Sequence, residues 1–291
     1  MNKQILRIAG VSFKRWLYSS KTLFGLLLIV VFSYVTYSPL NDVVQFFGVK
    51  ASPWIFSFFL SFDKMLVVFA GILMVLYSDA FLVDTYSHSM IIRCGRRAFI
   101  TGQILAVILS GLFVTALAFA CSFIIVLPSI TWDKDWGTIF YTMSEHLGEI
   151  RQKAGISTTL IMEPIYLRTV SPITSTLMAL LLMWLSSVFD GCLIGCLRVL
   201  TGKAYGTVII GVLAFVSMFS RELGQLVFGS SLRYFSPILW SNPLYLNWYG
   251  TEYEPTPAYA VCALAGCILV FCMLSSIRFR HGDIYDQETG G

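Results

Sequence analysis

The chain has 291 residues, 57% of them apolar and only 12% charged, with a mean hydropathy of +0.76. A soluble domain averages about half apolar and about a quarter charged, and a water-soluble fold of the present composition has too little polar surface to cover its outside. The net charge of +4 is no larger than membrane topology alone generates, so soluble enzyme, nucleic-acid binder and disordered scaffold are excluded and an integral membrane protein remains.

Residues 1–21 hold Lys3, Arg7, Lys14, Arg15 and Lys21 and no acid, which predicts a cytoplasmic N-terminus. At about 100° per residue, Ile5, Ile8, Ala9, Ser12, Phe13, Trp16 and Leu17 form one stripe, and Lys3, Arg7, Lys14 and Lys21 gather on another side. This pattern predicts a helix lying in the headgroup layer with its basic side toward lipid phosphates.

A helix needs about 20 mostly apolar residues to cross a bilayer. Six stretches are read as spans: 22–37, 65–83, 100–127, 174–197, 204–220 and 258–277. Charged pairs at Asp63-Lys64 and Arg221-Glu222 bound the second and fifth. In this topology both termini are cytoplasmic, and 12 of the 20 Lys and Arg residues fall on that side. The aromatic-rich stretches 54–60 and 232–248 are expected as interfacial or re-entrant pieces, because Trp and Tyr rings are apolar with one wet polar atom.

The stretch 77–103 joins the second and third spans. Asp79 stands near the membrane exit, a short apolar-faced segment follows, and then Arg93-Cys-Gly95-Arg96-Arg97. A short helix here is pinned between two spans with its basic end toward the cytosol, so any displacement of it moves both. A solvated positive-inside loop accounts equally for the three arginines.

These residues resemble the membrane subunit of the type-2 ABC exporter permeases, also called the type V ABC transporter fold. In that family an acid, a Gly-Thr, an apolar stretch, a small-residue/Arg motif and a Gly-Lys follow in order. Here Asp79, Asp84-Thr85, Met90-Ile91-Ile92, Arg93 to Arg97 and Gly102-Gln103 stand at those positions, with Asp84 in place of the glycine and Gln103 in place of the lysine. The resemblance implies an all-α, six-span domain over 22–277, an N-terminal elbow helix over 1–21, and a short cytoplasmic coupling helix between spans 2 and 3. It also implies an outer loop over 128–172, a re-entrant region over 221–257 and a cytoplasmic tail over 278–291.

The implied function is that of a permease subunit in a bacterial plasma membrane, exporting an amphipathic peptide, antibiotic or lipid-like molecule. A separate ATPase would dock on the loop formed by Asp79, Asp84, Thr85, Met90, Ile91, Arg93, Gly95, Arg96 and Arg97, and a second permease copy or paralogue would complete the pathway. ATP and Mg would be held by that partner. This chain has no G-x-x-x-x-G-K-[ST] phosphate loop of its own, so no ATP hydrolysis is expected on it. No H-E-x-x-H or G-x-S-x-G motif occurs, His88, His146 and His281 are far apart in sequence, and neither a catalytic residue nor a metal site is expected.

Two rivals remain: a non-transporting membrane scaffold or sensor docking a cytosolic partner through the same basic loop, and a secondary transporter. The latter normally carries inverted repeats or more intramembrane charge.

Asp190 is the one ionisable residue well inside a confident span. A charge at the bilayer centre costs about 2.5–3.5 kcal/mol on insertion scales, so Asp190 is expected to line the substrate path, to latch two helices, or to reach water in a polar seam. Around it Ser187, Gly191 and Gly195 recur every four residues, which permits close helix approach either internally or at a subunit contact. Cys192 and Cys196 share that helix and are read as small packing residues. Arg221 and Glu222 end the short fifth span and are read as part of a pathway, a latch or an exposed ion pair. In the outer loop, Glu145, Glu149, Arg151 and Lys153 predict a surface helix with charge pairs.

Overall fold

The computed structural model describes residues 3–83, 85–156, 158–222, 229–250 and 254–281. It is 80% helical, with no strand among the described residues, so the class is all-α. The helices are α1 (Lys3–Leu17), α2 (Ser20–Phe47), α3 (Asp63–Tyr77), α4 (Thr85–Cys94), α5 (Arg96–Val126), α6 (Thr138–Ala154), α7 (Pro164–Thr169), α8 (Pro172–Thr201), α9 (Tyr205–Glu222) and α10 (Pro257–His281). Short 3₁₀ turns occupy Trp54–Phe58, Gly229–Phe235, Leu239–Ser241 and Pro243–Tyr245.

Among the described residues, four helices are long and apolar enough to cross a membrane: Ser20–Phe47, Arg96–Ser129, Pro172–Thr201 and Pro257–Phe279. At the expected second and fifth spans the described helices are apolar but shorter than a crossing. The 15 residues of α3 and 18 of α9 extend only about 22 and 27 Å at 1.5 Å per residue, against a hydrocarbon core of about 30 Å. The second span, expected over 65–83, leaves the helix at Tyr77. Ser78 Oγ donates to Val75 O (3.0 Å), Ala80 N donates to Tyr77 O (2.8 Å), and Phe81 turns the chain with φ +56°. The first span, expected to stop near 37, runs on through Pro39 to Phe47, where Asn41 Nδ2 donates to Ile125 O (3.1 Å) and ties the extension to α5.

At the centre stands α8. Two-thirds of its apolar window (67%) is buried, against 22–44% in the other three long helices, and it packs on α10, α5, α9 and α3. Peripheral helices turn large apolar side chains outward: Leu23, Leu27, Val31 and Tyr34 on α2, and Leu269, Val270, Met273 and Ile277 on α10. A soluble protein rarely leaves so continuous an apolar exterior; the surface is compatible with a multi-pass membrane protein.

Two dissimilar ends close the bundle. At one, α1 lies along α5 with Ile8 and Ala9 buried beneath it. Gly102 makes this approach possible, since a Cβ there would stand 2.5 Å from Ile8 Cγ2. At the other end the aromatic stretches and the loop form a single packed cap. Trp136 is buried among Phe58, Phe140 and Tyr166 and donates from Nε1 to Val170 O (2.9 Å). Asn242 Nδ2 donates to Leu60 O (2.8 Å) and Tyr245 OH to Ser61 O (2.7 Å), joining the two aromatic stretches directly. Charge pairs in this cap include Arg168 to Glu145 (2.7 Å), between α7 and α6, and Arg233 to Glu254 (3.0 Å), and His146 lies 3.4 Å from Glu149 at a kink in α6.

Candidate functional site

The residues singled out between 77 and 103 sit at the α1 end of the bundle. α4 is a 10-residue helix held between α3 and α5, and Gly95 makes the break between α4 and α5 with φ +81°, a value that suits glycine. Ile91 is buried and Met90 faces a cavity, while Ile92 is 85% exposed beside exposed Arg93. Arg97, one turn into α5, is exposed and Arg96 half-buried. α4 therefore points Ile91 inward as an anchor and presents Ile92 outward next to Arg93. Asp84 lies outside the described residues, and for Thr85 only the backbone is described.

Asp79 organises the turn between α3 and α4. Lys21 Nζ, at the start of α2, donates to its Oδ1 at 2.9 Å, and Arg198 Nη1, near the end of α8, lies 4.0 Å from the same oxygen. Lys21 and Asp79 are exposed, whereas the Arg198 side chain is only 12% exposed and its Nη1 has no hydrogen-bond partner. Lys21 lies 58 residues from Asp79 in the chain, and no spacing rule links it or Arg198 to that carboxylate. Trp16 adds a second tie, donating from Nε1 to Leu76 O (2.9 Å) and stacking on Tyr77 at 6.4 Å. By these contacts α1, α2, α3 and α8 all converge on the turn that leads into α4.

A cavity of about 480 Å³ opens at this junction. Its exposed rim carries Arg15, Tyr18, Lys21 and Asp79, and its buried floor is made by Leu76, Tyr77, Phe81, Val107 and Ser110. Ser110 Oγ donates to Val107 O at 2.8 Å and stands 3.4 Å from the Tyr77 hydroxyl.

The small-residue seam on α8 is internal. A Cβ on Gly195 would stand 2.4 Å from Phe81 Cδ2, one on Gly191 would stand 2.6 Å from Val107 Cγ1, and Ser187 faces Gly111 of α5. Ser187 Oγ donates to Met183 O within its own helix. Asp190, on the same helix, is 2% exposed and its Oδ1 has no hydrogen-bond partner. It does not touch the Asp79 cluster, so the structure leaves it as a separate buried carboxyl. Cys192 lies 3.9 Å, sulfur to sulfur, from Cys272 on α10. Arg221 and Glu222 complete the last turn of α9, and their side chains lie outside the described set.

No protein-family model matches this chain, and no curated protein matches it. Among the described residues no group of three or more His, Cys, Asp or Glu is arranged to hold a metal ion.

Proposed function

We propose that the chain is the membrane-spanning permease subunit of an ATP-driven exporter of the ABC type, with six membrane crossings and α4 as the docking point for a separate cytosolic ATPase. The observation that carries this reading is the geometry of α4. Ile92 is turned out beside exposed Arg93, while Ile91 and Met90 pack the helix on the bundle. A partner that pushes on such a helix pushes on α5, to which α4 is joined through the single residue Gly95 and against which it packs. The Asp79 turn carries the same displacement to α2 and α8. That is the mechanical requirement for a motor on one chain to rock the spans of another.

In this reading α1 is the elbow helix on the cytoplasmic leaflet, both termini are cytoplasmic, and the membrane is the plasma membrane of a bacterium. The short helices α3 and α9, which pack on each other, are the second and fifth crossings in this reading. The pathway forms between this chain and a second copy or paralogue. The cargo is amphipathic, with Asp190, Arg221 and Glu222 as candidate pathway or latch residues.

The test is a mild-detergent purification of the tagged chain, followed by an ATPase assay on the co-purifying material. A stoichiometric ATP-binding subunit, lost when exposed Arg93 and Arg97 are both replaced by Glu and Ile92 by Asp, is the expected result. A chain that purifies alone in several lipids, or a partner retained by the triple variant, overturns the docking assignment. It would leave the scaffold or secondary-transporter readings.

A further inference from the structure

We propose that the cavity between α1, the α3–α4 turn and α5 is a binding site for the phosphate head of an anionic lipid, whose acyl stem enters the apolar floor. This inference needs only that the chain lies in a membrane, not that it docks an ATPase.

The size argues against a free ion. A volume of about 480 Å³ falls within the range of small-molecule sites, roughly 300–1,000 Å³, and one phosphate would occupy little of it. The gradation of the walls argues for an amphiphile. The rim residues Tyr18, Lys21 and Asp79 are exposed and polar, whereas Leu76, Phe81 and Val107 on the floor are buried and apolar. Trp16 and Tyr77, stacked at 6.4 Å, supply a flat wall between the two zones. The depth also fits. One wall is α1, an amphipathic helix with basic residues on its outer side, and such helices lie at the headgroup boundary.

Charge sets the sign of the ligand. Among the described residues, Asp79 is the one acid at the rim, and two cations, Lys21 and Arg198, already share its Oδ1. An ammonium carries three donors, and Lys21 uses one on Asp79, leaving two for an incoming oxygen anion. Arg198 Nη1, without a hydrogen-bond partner behind the carboxylate, adds uncompensated positive potential at the same place. A zwitterionic choline head would have to compete for the single acid against both cations, so an anionic head is favoured.

The experiment places the purified full chain in nanodiscs of dioleoylphosphatidylcholine containing a graded fraction of dioleoylphosphatidylglycerol. Lipid retained after delipidation into detergent is then counted by native mass spectrometry. The expected result is one tightly retained phosphatidylglycerol per chain, with retention weakened about tenfold in Lys21→Gln, the effect of losing one charge-assisted contact. Val11→Trp, which fills the cavity from α1 while leaving every charge in place, is expected to abolish retention. Thermal melting of both variants in phosphatidylcholine alone reports whether they remain folded.

Equal retention of phosphatidylglycerol and phosphatidylcholine overturns the charge argument, and retention unchanged in folded Val11→Trp overturns the site. Inorganic phosphate that displaces the lipid at matched concentration overturns the contribution of the acyl stem. None of these outcomes bears on whether an ATPase binds α4, because no ATPase is present.

Discussion

Replacing Gly195 by Ala tests whether the α8 seam positions the turn that leads into α4. A Cβ at this position stands 2.4 Å from Phe81 Cδ2 and 2.7 Å from both Cε2 and Cγ. Ordinary carbon contacts begin near 3.5 Å, so the ring must retreat by about 1 Å. It has little room, because Phe81 is 3% exposed and its backbone holds φ +56°. Overpacking of this kind costs about 1–3 kcal/mol, and the better helix propensity of Ala returns about 0.5–1 kcal/mol. The net expectation is a loss of about 1–2 kcal/mol, with the displacement falling on Asp79 two residues before Phe81.

The assay is thermal or SDS-induced unfolding of the purified protein in one lipid composition. Two further variants make it decisive. Gly71→Ala, also inside a helix but with nothing within 4 Å of the new Cβ, should be neutral or slightly stabilised by propensity. Gly195→Ala combined with Phe81→Ala should show favourable coupling, since the second change removes the atoms that the first one strikes. Gly195→Ala as stable as the parent, or a double variant whose losses simply add, refutes the view that Gly195 exists to seat Phe81.

Three shorter predictions concern the cap and the α8–α10 contact. Burial raises the Tyr166 hydroxyl above its ordinary range while its hydrogen bond to Ser175 (2.6 Å) opposes the shift. The neutral form is thus favoured on folding, and stability that is full below about pH 10 falls as pH rises beyond it. Tyr166→Phe should cost about 1–2 kcal/mol near neutrality and reduce the alkaline fall, as read by melting temperature between pH 8 and 11. Asn242→Ala removes a donor to Leu60 O and an acceptor for Leu244 N in a fully buried place, and should lower stability by about 2–3 kcal/mol in the same unfolding assay. A mild thiol oxidant should join Cys192 to Cys272, separated by 3.9 Å between sulfurs. The link would be visible as co-migration of α8 and α10 fragments after proteolysis, and Cys272→Ser should abolish it.

The long helices were legible because hydropathy reports continuous apolar length and little else. The uninterrupted apolar run of α5 has no competing signal, and Asp190 alone breaks that of α8. The end of α3 was hidden for the same reason. Phe81, Leu82 and Val83 continue an apolar run, and hydropathy does not register that the backbone turns at φ +56° to send the Phe81 ring against Gly195. In the aromatic stretches, an affinity for the membrane interface was readable, but their mutual packing was not. Their indole, amide and phenol donors are satisfied by main-chain carbonyls of distant segments: Val170 for Trp136, Leu60 for Asn242 and Ser61 for Tyr245. A backbone carbonyl leaves no mark on residue identity, so no pattern announces such a pairing.

The same distinction runs through the candidate site. Arg93, Gly95 and Arg97 were visible because a break flanked by cations between two apolar runs is a local pattern, and α4 forms where that pattern lies. Lys21 and Arg198 each had a sufficient local explanation as a charge at the end of a span, so nothing directed attention to their common partner. Only the close packing of α8 on α3, permitted by Gly191 and Gly195, brings Arg198 within 4.0 Å of Asp79. The small residues that were read as a packing seam are thus the physical cause of the charge cluster. In that cluster Asp79 is shared by two cations, and it stands at the rim of the cavity and at the entrance to α4. A ligand that drew Lys21 away from it would alter the restraint on the α3–α4 turn.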